Sequence, residues 1–229
     1  MTTSYPLRSI RSYVRRQGRI TPGQANALIH YWDHYCLEFN SETAIDWQNL
    51  FPRQAPCILE IGFGMGTLLV AMAKQYPDKN FIGVEVHRPG IGQCINQAQR
   101  EGVSNLKIFA GDALLVLEQI PNQSLEKVLL LFPDPWPKTR HHKRRIVQPA
   151  FVKLVAEKLL VGGQFHLATD WQPYAAHMIN VLNQCPALKN CFGAENFATD
   201  LERPATKFER RGQKLGHDIW ELLYTQINP

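Results

Sequence analysis

Four carboxylates in this sequence stand at or beside the ends of short apolar runs. Glu60 lies in Leu59-Glu60-Ile61-Gly62-Phe63-Gly64-Met65-Gly66-Thr67, Glu85 is next to last in the run FIGVEV, Asp112 follows LKIFA-Gly, and Asp134 follows KVLLLF-Pro. Gly62, Gly64 and Gly66 let a backbone turn sharply and come close to a ligand. A carboxylate at Glu85, 19 residues beyond Gly66, can accept both hydroxyls of an adenosine ribose. Asp112 can accept from an adenine amino group, and Glu60 can hold an ammonium or order the loop.

Two cofactor types use that arrangement. A dinucleotide asks for G-x-G-x-x-G so that its pyrophosphate can rest on a helix N-terminus. Here the spacing is G-x-G-x-G, and Thr67 stands at the third dinucleotide position. S-adenosylmethionine carries no phosphate and ends in an amino-acid zwitterion, so the pattern favours it. A nicotinamide or flavin site and a plain structural turn are the alternatives.

Pro133-Asp134-Pro135-Trp136-Pro137-Lys138 has three prolines in five residues. They stiffen the segment and exclude a helix, fixing an acid, an aromatic ring and a lysine beside the proposed cofactor. The alternative is a rigid surface loop in which Trp136 caps the core. Lys138 to Arg145 then reads KTRHHKRR, with five like charges in eight residues. Such a run repels itself and suggests an interaction surface or a solvated loop. His141 and His142, set among those cations, read as members of a phosphate loop rather than a metal site.

The net charge is +5 over 229 residues, and no Asp or Glu occurs from Met1 to Trp32, where Arg8, Arg11, Arg15, Arg16 and Arg19 all fall. Both features favour a polyanionic partner. An arginine-rich, acid-free start also resembles an organellar transit peptide, but the same arginines have an RNA-binding explanation. The five cysteines are scattered without a C-x-x-C pair, which argues against zinc and disulfides and for a reducing cytoplasm. No apolar run reaches the length of a membrane span.

These residues need a scaffold, and the hydrophobic pattern supplies one. Strands are expected at Cys57–Ile61, Phe81–Val86, Leu106–Ala110, Lys127–Phe132, Gln164–Thr169 and Asp218–Gln226. Helices are expected at about Pro22 onward, Thr67–Tyr76, Pro89–Glu101, a short stretch to Gln119, Pro149–Leu160 ending at Gly162-Gly163, and Pro173–Asn183. Strands alternating with helices through glycine-rich turns predict a doubly wound, mostly parallel α/β sheet, Rossmann-like. Residues 1–50 read as a basic arm and connector, and 51–229 as the catalytic domain. The stretch from Gln184 to Asp200 stays open.

The motifs LEIGFGMG, FIGVEV, GDA, LLLFPDPWPK, RHHKRRI, Ala168-Thr169-Asp170 and Thr206-Lys207-Phe208-Glu209-Arg210 together resemble the tRNA (guanine-N7-)-methyltransferase family. The resemblance runs from about Arg11 to the last strand, and its PDPWPK and RHHKRR stretches are the distinctive ones. It implies a class I methyltransferase fold and methyl transfer from S-adenosylmethionine to N7 of guanosine 46 in the tRNA variable loop. It also implies cofactor contacts at Glu60, Glu85, Asp112 and Asp134, and substrate contacts at Lys138, Asp170 and Thr206 to Glu209. On that basis Asp134 is the expected catalytic acid, Asp170 helps fix the base, and Trp136 can receive it. Lys138, Arg140, Lys143, Arg144 and Arg145 would grip phosphates, and the N-terminal arginines a more distant part of the tRNA.

Three rivals remain at this point. A small-molecule or protein methyltransferase would share the glycine loop without needing the basic runs. An inactive RNA-binding subunit would not need the acidic set. A dehydrogenase is disfavoured by Thr67 and by the lack of a hydride-transfer site. Either a monomer or a homodimer is compatible with the sequence.

Overall fold

A computed structural model describes residues 12–13, 18–37, 45–47, 49–199, 201, 209 and 218–227. In chain order the elements are α1 (Pro22–His30), α2 (Trp32–Tyr35), β1 (Cys36–Leu37), β2 (Cys57–Ile61), α3 (Thr67–Gln75), β3 (Asn80–Glu85), α4 (Arg88–Glu101), β4 (Leu106–Ala110), α5 (Ala113–Gln119) and β5 (Leu125–Leu131). A 3-10 helix (Thr139–Arg144) follows, then α6 (Pro149–Lys158), β6 (Leu159–Thr169), α7 (Gln172–Asn183), β7 (Leu188–Asn190) and β8 (Trp220–Gln226).

The strands form one sheet in the order β1-β4-β3-β2-β5-β6-β8-β7. Among them β8 alone runs against the rest, pairing antiparallel with β6 and β7. The sheet is covered on both faces, so its central strands carry unbroken apolar runs rather than alternation. Leu59, Ile61, Val128 and Leu130 pack against α5, α6 and α7, while Ile58, Leu129 and Leu131 pack against α3 and α4. The chain leaves β2 toward β3 and β4, then returns to the other side of β2 as β5. The carboxyl ends of β2 and β5 therefore flank the point where strand order reverses, the usual ligand crevice of such sheets.

Local signals set the helix ends. Thr21 and Gln24 form a reciprocal capping box ahead of Pro22, satisfying two otherwise orphaned amides. The long helix α4 starts at Arg88-Pro89 and stops at Gly102, which takes φ 67°, a conformation only glycine adopts without strain.

Several expectations shift. The helix α6 stops at Lys158, and the strand begins at once. Leu159 pairs with Leu125 and the ladder resumes with Gln164 opposite Lys127. Residues 160–163 thus bulge out of register, with Gly162 at φ 82°. The two glycines make a bulge inside β6 instead of ending a helix, because the sheet captures Leu159. Residues 22–37 of the expected arm join the folded body: α1 lies on α4, and β1 adds a parallel edge strand beside β4. Within the open stretch 184–200, Leu188–Asn190 forms the edge strand β7. Residues 1–11 and 14–17, with four of the five arm arginines, lie outside the described residues; Arg19 is exposed.

Candidate active site

Five consecutive strands bring the candidate residues to one edge. In spatial order β4, β3, β2, β5 and β6 end in Asp112, Glu85, the glycine loop, Asp134 and Asp170. At the normal interstrand spacing this row spans about 19 Å, enough for an extended cofactor and a base side by side.

The loop after β2 turns at Gly62, Gly64 and Gly66, with φ of 72°, 60° and 73°. Two of these positions explain why glycine is needed. A Cβ on Gly66 would lie 2.4 Å from the Cys94 sulfur of α4, so the loop is pressed onto that helix. A Cβ on Gly62 would meet nothing within 4 Å, so open space lies in front of it. The closest approach is at a residue that periodicity did not single out: a Cβ on Gly90 would stand 2.1 Å from the Gly64 carbonyl oxygen. Its only trace in the sequence is Pro89-Gly90 at a helix start. Cys94, fully buried beneath the loop, has its thiol pushed well up by burial, with Glu60 adding to it. It serves there as packing.

Glu85 braces this loop. One carboxylate oxygen accepts from the Gly64 amide at 2.8 Å, and the other accepts from Val86 and His87 at 2.7 and 3.0 Å. The Glu85 carbonyl accepts from Gly111 at 3.1 Å, tying the next loop alongside. Asp112 caps α5 by accepting from the Leu114 amide at 3.0 Å. Glu60, 4 % exposed, shares the face of Ile58 under α3 and α4. Open space, a row of acids and no cationic side chain in the loop suit a cofactor with an ammonium, a sulfonium and ribose hydroxyls. They do not suit a pyrophosphate.

Beyond β5 the backbone is strained. Phe132 and Trp136 take φ of 54° and 45°, each costing on the order of 1–3 kcal/mol for a non-glycine residue. The surroundings hold them there. Phe132 donates its amide to the Ala168 carbonyl at 2.8 Å. The Trp136 ring nitrogen donates to the Ser12 carbonyl at 3.1 Å, and the Arg144 guanidinium lies 4.1 Å from the ring centre. Asp134, exposed, stands between these two residues.

The cationic run is a 3-10 helix, and three residues per turn sort it into columns. Arg140 and Lys143 are exposed. His141 and Arg144 both touch Trp136, His141 edge-on with ring centres 5.8 Å apart. His142 and Arg145 turn inward. Lys138, at the N-cap, is exposed. Burial and then the cations Arg140, Arg144, Lys138 and Lys143 hold the pKa of His141 below its ordinary value. Arg145, expected to contact phosphate, is 4 % exposed, and its Nε donates to the Pro135 carbonyl. Asp170, half-buried, immediately precedes Trp171 and α7; Glu209 is half-buried, and Thr206, Lys207 and Phe208 lie outside the described residues.

Comparison with known proteins bears on this site. A family profile described as "Putative methyltransferase" matches residues 54–222, from the start of the glycine-loop strand into β8. A tRNA (guanine-N(7)-)-methyltransferase of Escherichia coli (strain UTI89 / UPEC) is 52 % identical over 224 residues, covering 97 % of this chain and 93 % of that protein. The chain belongs to the tRNA (guanine-N(7)-)-methyltransferase family. The protein of that name from Photobacterium profundum is 50 % identical over 222 residues, with 96 % and 90 % coverage. Among solved structures, the 16S rRNA methyltransferase KamB superposes with a TM-score of 0.58 at 16 % identity, covering 82 % of this chain and 94 % of that one. That likeness establishes the class I methyltransferase fold. The glycine loop and the acid row both lie within the matched region.

Proposed function

We propose that this chain transfers a methyl group from S-adenosylmethionine to N7 of guanine 46 in the variable loop of tRNA, forming 7-methylguanosine. One observation carries the reading: a proline-stiffened acid, flanked by two residues of strained backbone, sits at the strand-order switch, and a cationic 3-10 helix with no buried residue starts five residues after it. The 50–52 % identity to proteins named for this reaction supports it.

Glu60, the Gly62–Gly66 loop, Glu85 and Asp112 would hold the cofactor by its ammonium, ribose and adenine. When bound there, S-adenosylmethionine supplies an electrophilic methyl group on a positively charged sulfur. Guanine N7 has a free lone pair and no proton, so no general base is needed. The residues of the site have to hold N7 in line with the methyl–sulfur bond, which is mainly positioning. Positive charge passes to the purine, and the Asp134 carboxylate stabilises it. Asp170 and the Thr206–Glu209 segment orient the base, which is drawn out of its stack. Lys138, Arg140, Lys143 and Arg144 contact phosphates, giving affinity and salt sensitivity rather than sequence choice. The working partner is tRNA in a reducing cytoplasm. No helix among the described residues is long and apolar enough to cross a membrane.

The test is methyl transfer from labelled S-adenosylmethionine to unfractionated tRNA, followed by nucleoside analysis, with Asp134→Ala alongside. The wild type should form 7-methylguanosine, and the variant should lose roughly 100- to 1,000-fold in kcat. Label at another base, or none in RNA, would overturn the proposal.

A further inference from the structure

Arg145 belongs to the cationic run by sequence but not by placement. Its Nε donates to the Pro135 carbonyl at 2.9 Å, and a terminal nitrogen lies 3.1 Å from Nε2 of His142. A guanidinium only donates, so His142 supplies the lone pair. The guanidinium stacks 4.8 Å from the ring centre of Tyr174, a fully buried residue of α7. Tyr174 in turn accepts from the Val147 amide at 3.4 Å. Burial lowers the pKa of Arg145, with Tyr174 opposing.

We infer that Arg145 is a positioning residue that clamps the Pro133–Pro137 segment to α7 and thereby holds the Asp134 carboxylate at the reaction centre. The inference rests on the methyl-transfer reading above. Asp134 lies between two anchored backbone groups: the Phe132 amide on Ala168, and the Pro135 carbonyl on Arg145. Pro135 has a fixed φ and no amide of its own, so its carbonyl is the handle by which this peptide can be held. Releasing it frees the strained backbone at Trp136 to relax, and Asp134 moves with it. A misplacement of about 1 Å at a reacting centre costs on the order of 100-fold. A phosphate contact at Arg145 would need the guanidinium to leave Tyr174 and abandon the Pro135 carbonyl.

Arg145→Lys separates the two roles, because it keeps the charge and loses the planar fork and stack. Steady-state methylation of tRNA, tRNA binding across a salt series, cofactor affinity and Tm are measured for the wild type, Arg145→Lys, Tyr174→Leu and the double variant Arg140→Ala/Lys143→Ala. A clamp requires Arg145→Lys to lose about 100-fold in kcat, with tRNA KM and salt slope within twofold of wild type. Tyr174→Leu, which removes the ring beneath the guanidinium, should lose kcat in the same way and decides the matter if Arg145→Lys does not fold. The double variant should instead raise KM and flatten the salt slope. Wild-type kcat in Arg145→Lys, or a raised KM and flattened slope like those of the double variant, would overturn the clamp. A wild type inactive on tRNA would overturn the methyl-transfer reading instead.

Discussion

Substituting Gly90 by alanine should cripple cofactor binding although no residue proposed to contact the cofactor is replaced. The new Cβ would stand 2.1 Å from the Gly64 carbonyl oxygen and 3.0 Å from its carbonyl carbon. Both are backbone atoms, so no side chain can swing away, and the loop or the start of α4 must retreat. The loop is not free to do so: Gly62 donates to the Val84 carbonyl at 2.8 Å, Gly64 to Glu85 at 2.8 Å, and Gly66 to the Phe63 carbonyl at 3.0 Å. Overpacking of this kind costs about 1–3 kcal/mol, and breaking the charge-assisted bond to Glu85 a similar amount. A total on the order of 3 kcal/mol, borne by the loop, weakens cofactor binding about 100-fold. Borne instead by the fold, it lowers Tm by roughly 6–12 °C for a chain of this size. Titration calorimetry with S-adenosylmethionine and scanning calorimetry of the free protein partition the two. Gly62→Ala is the comparison for Tm alone, since its Cβ meets no protein atom within 4 Å and only its φ of 72° is strained; it should destabilise the free protein by about 1–2 kcal/mol. If Gly90→Ala matches wild type in both affinity and Tm, contact with α4 is not what shapes the loop.

Glu85→Gln should loosen the loop from the other side, because a neutral amide cannot accept from Gly64, Val86 and His87 together. Cofactor affinity should fall roughly 10- to 100-fold, with faster hydrogen exchange at those three amides; unaltered exchange would sink the argument. His141 should couple tRNA binding to pH. Burial and neighbouring cations hold its free-state pKa below 6.5, and phosphates that neutralise those cations would raise it in the complex. The complex then binds more protons than the free protein, so tRNA affinity should strengthen as pH falls below neutrality. His141→Gln should flatten that dependence, and identical pH profiles for the two proteins would refute the coupling.

How much of this was legible in the sequence depends on how far each signal reaches. Buried parallel strands announce themselves as apolar runs closed by glycine or an acid, so Cys57–Ile61 and Leu106–Ala110 were found to the residue. The acid row followed, because residues just past such strands share one edge whatever lies between them. Strands created by pairing carry no such mark. Cys36–Leu37 spans two residues, and Leu188–Asn190 exists because β8 offers it an edge. Leu159 looked helical by periodicity and became strand because Leu125 lay opposite. Gly90 was invisible for the same reason: its importance lies in a loop 26 residues earlier in the chain.

The cationic run shows most sharply where composition stops and conformation begins. Charge counting makes Arg140, Lys143, Arg144 and Arg145 equivalent, and nothing apolar among them reveals a period. Three prolines exclude an α-helix before the run, but they say nothing of a three-residue period within it. Once the backbone turns every three residues, equivalence ends. Arg140 and Lys143 face solvent, Arg144 covers Trp136, and Arg145 closes on Pro135 and Tyr174. A row of like charges is thus divided by geometry: the outward column faces solvent, and the inward one bonds to the segment that carries Asp134. The strain at Phe132 and Trp136 gives that bracing its purpose, since a backbone held about 1–3 kcal/mol uphill relaxes as soon as its anchors are cut.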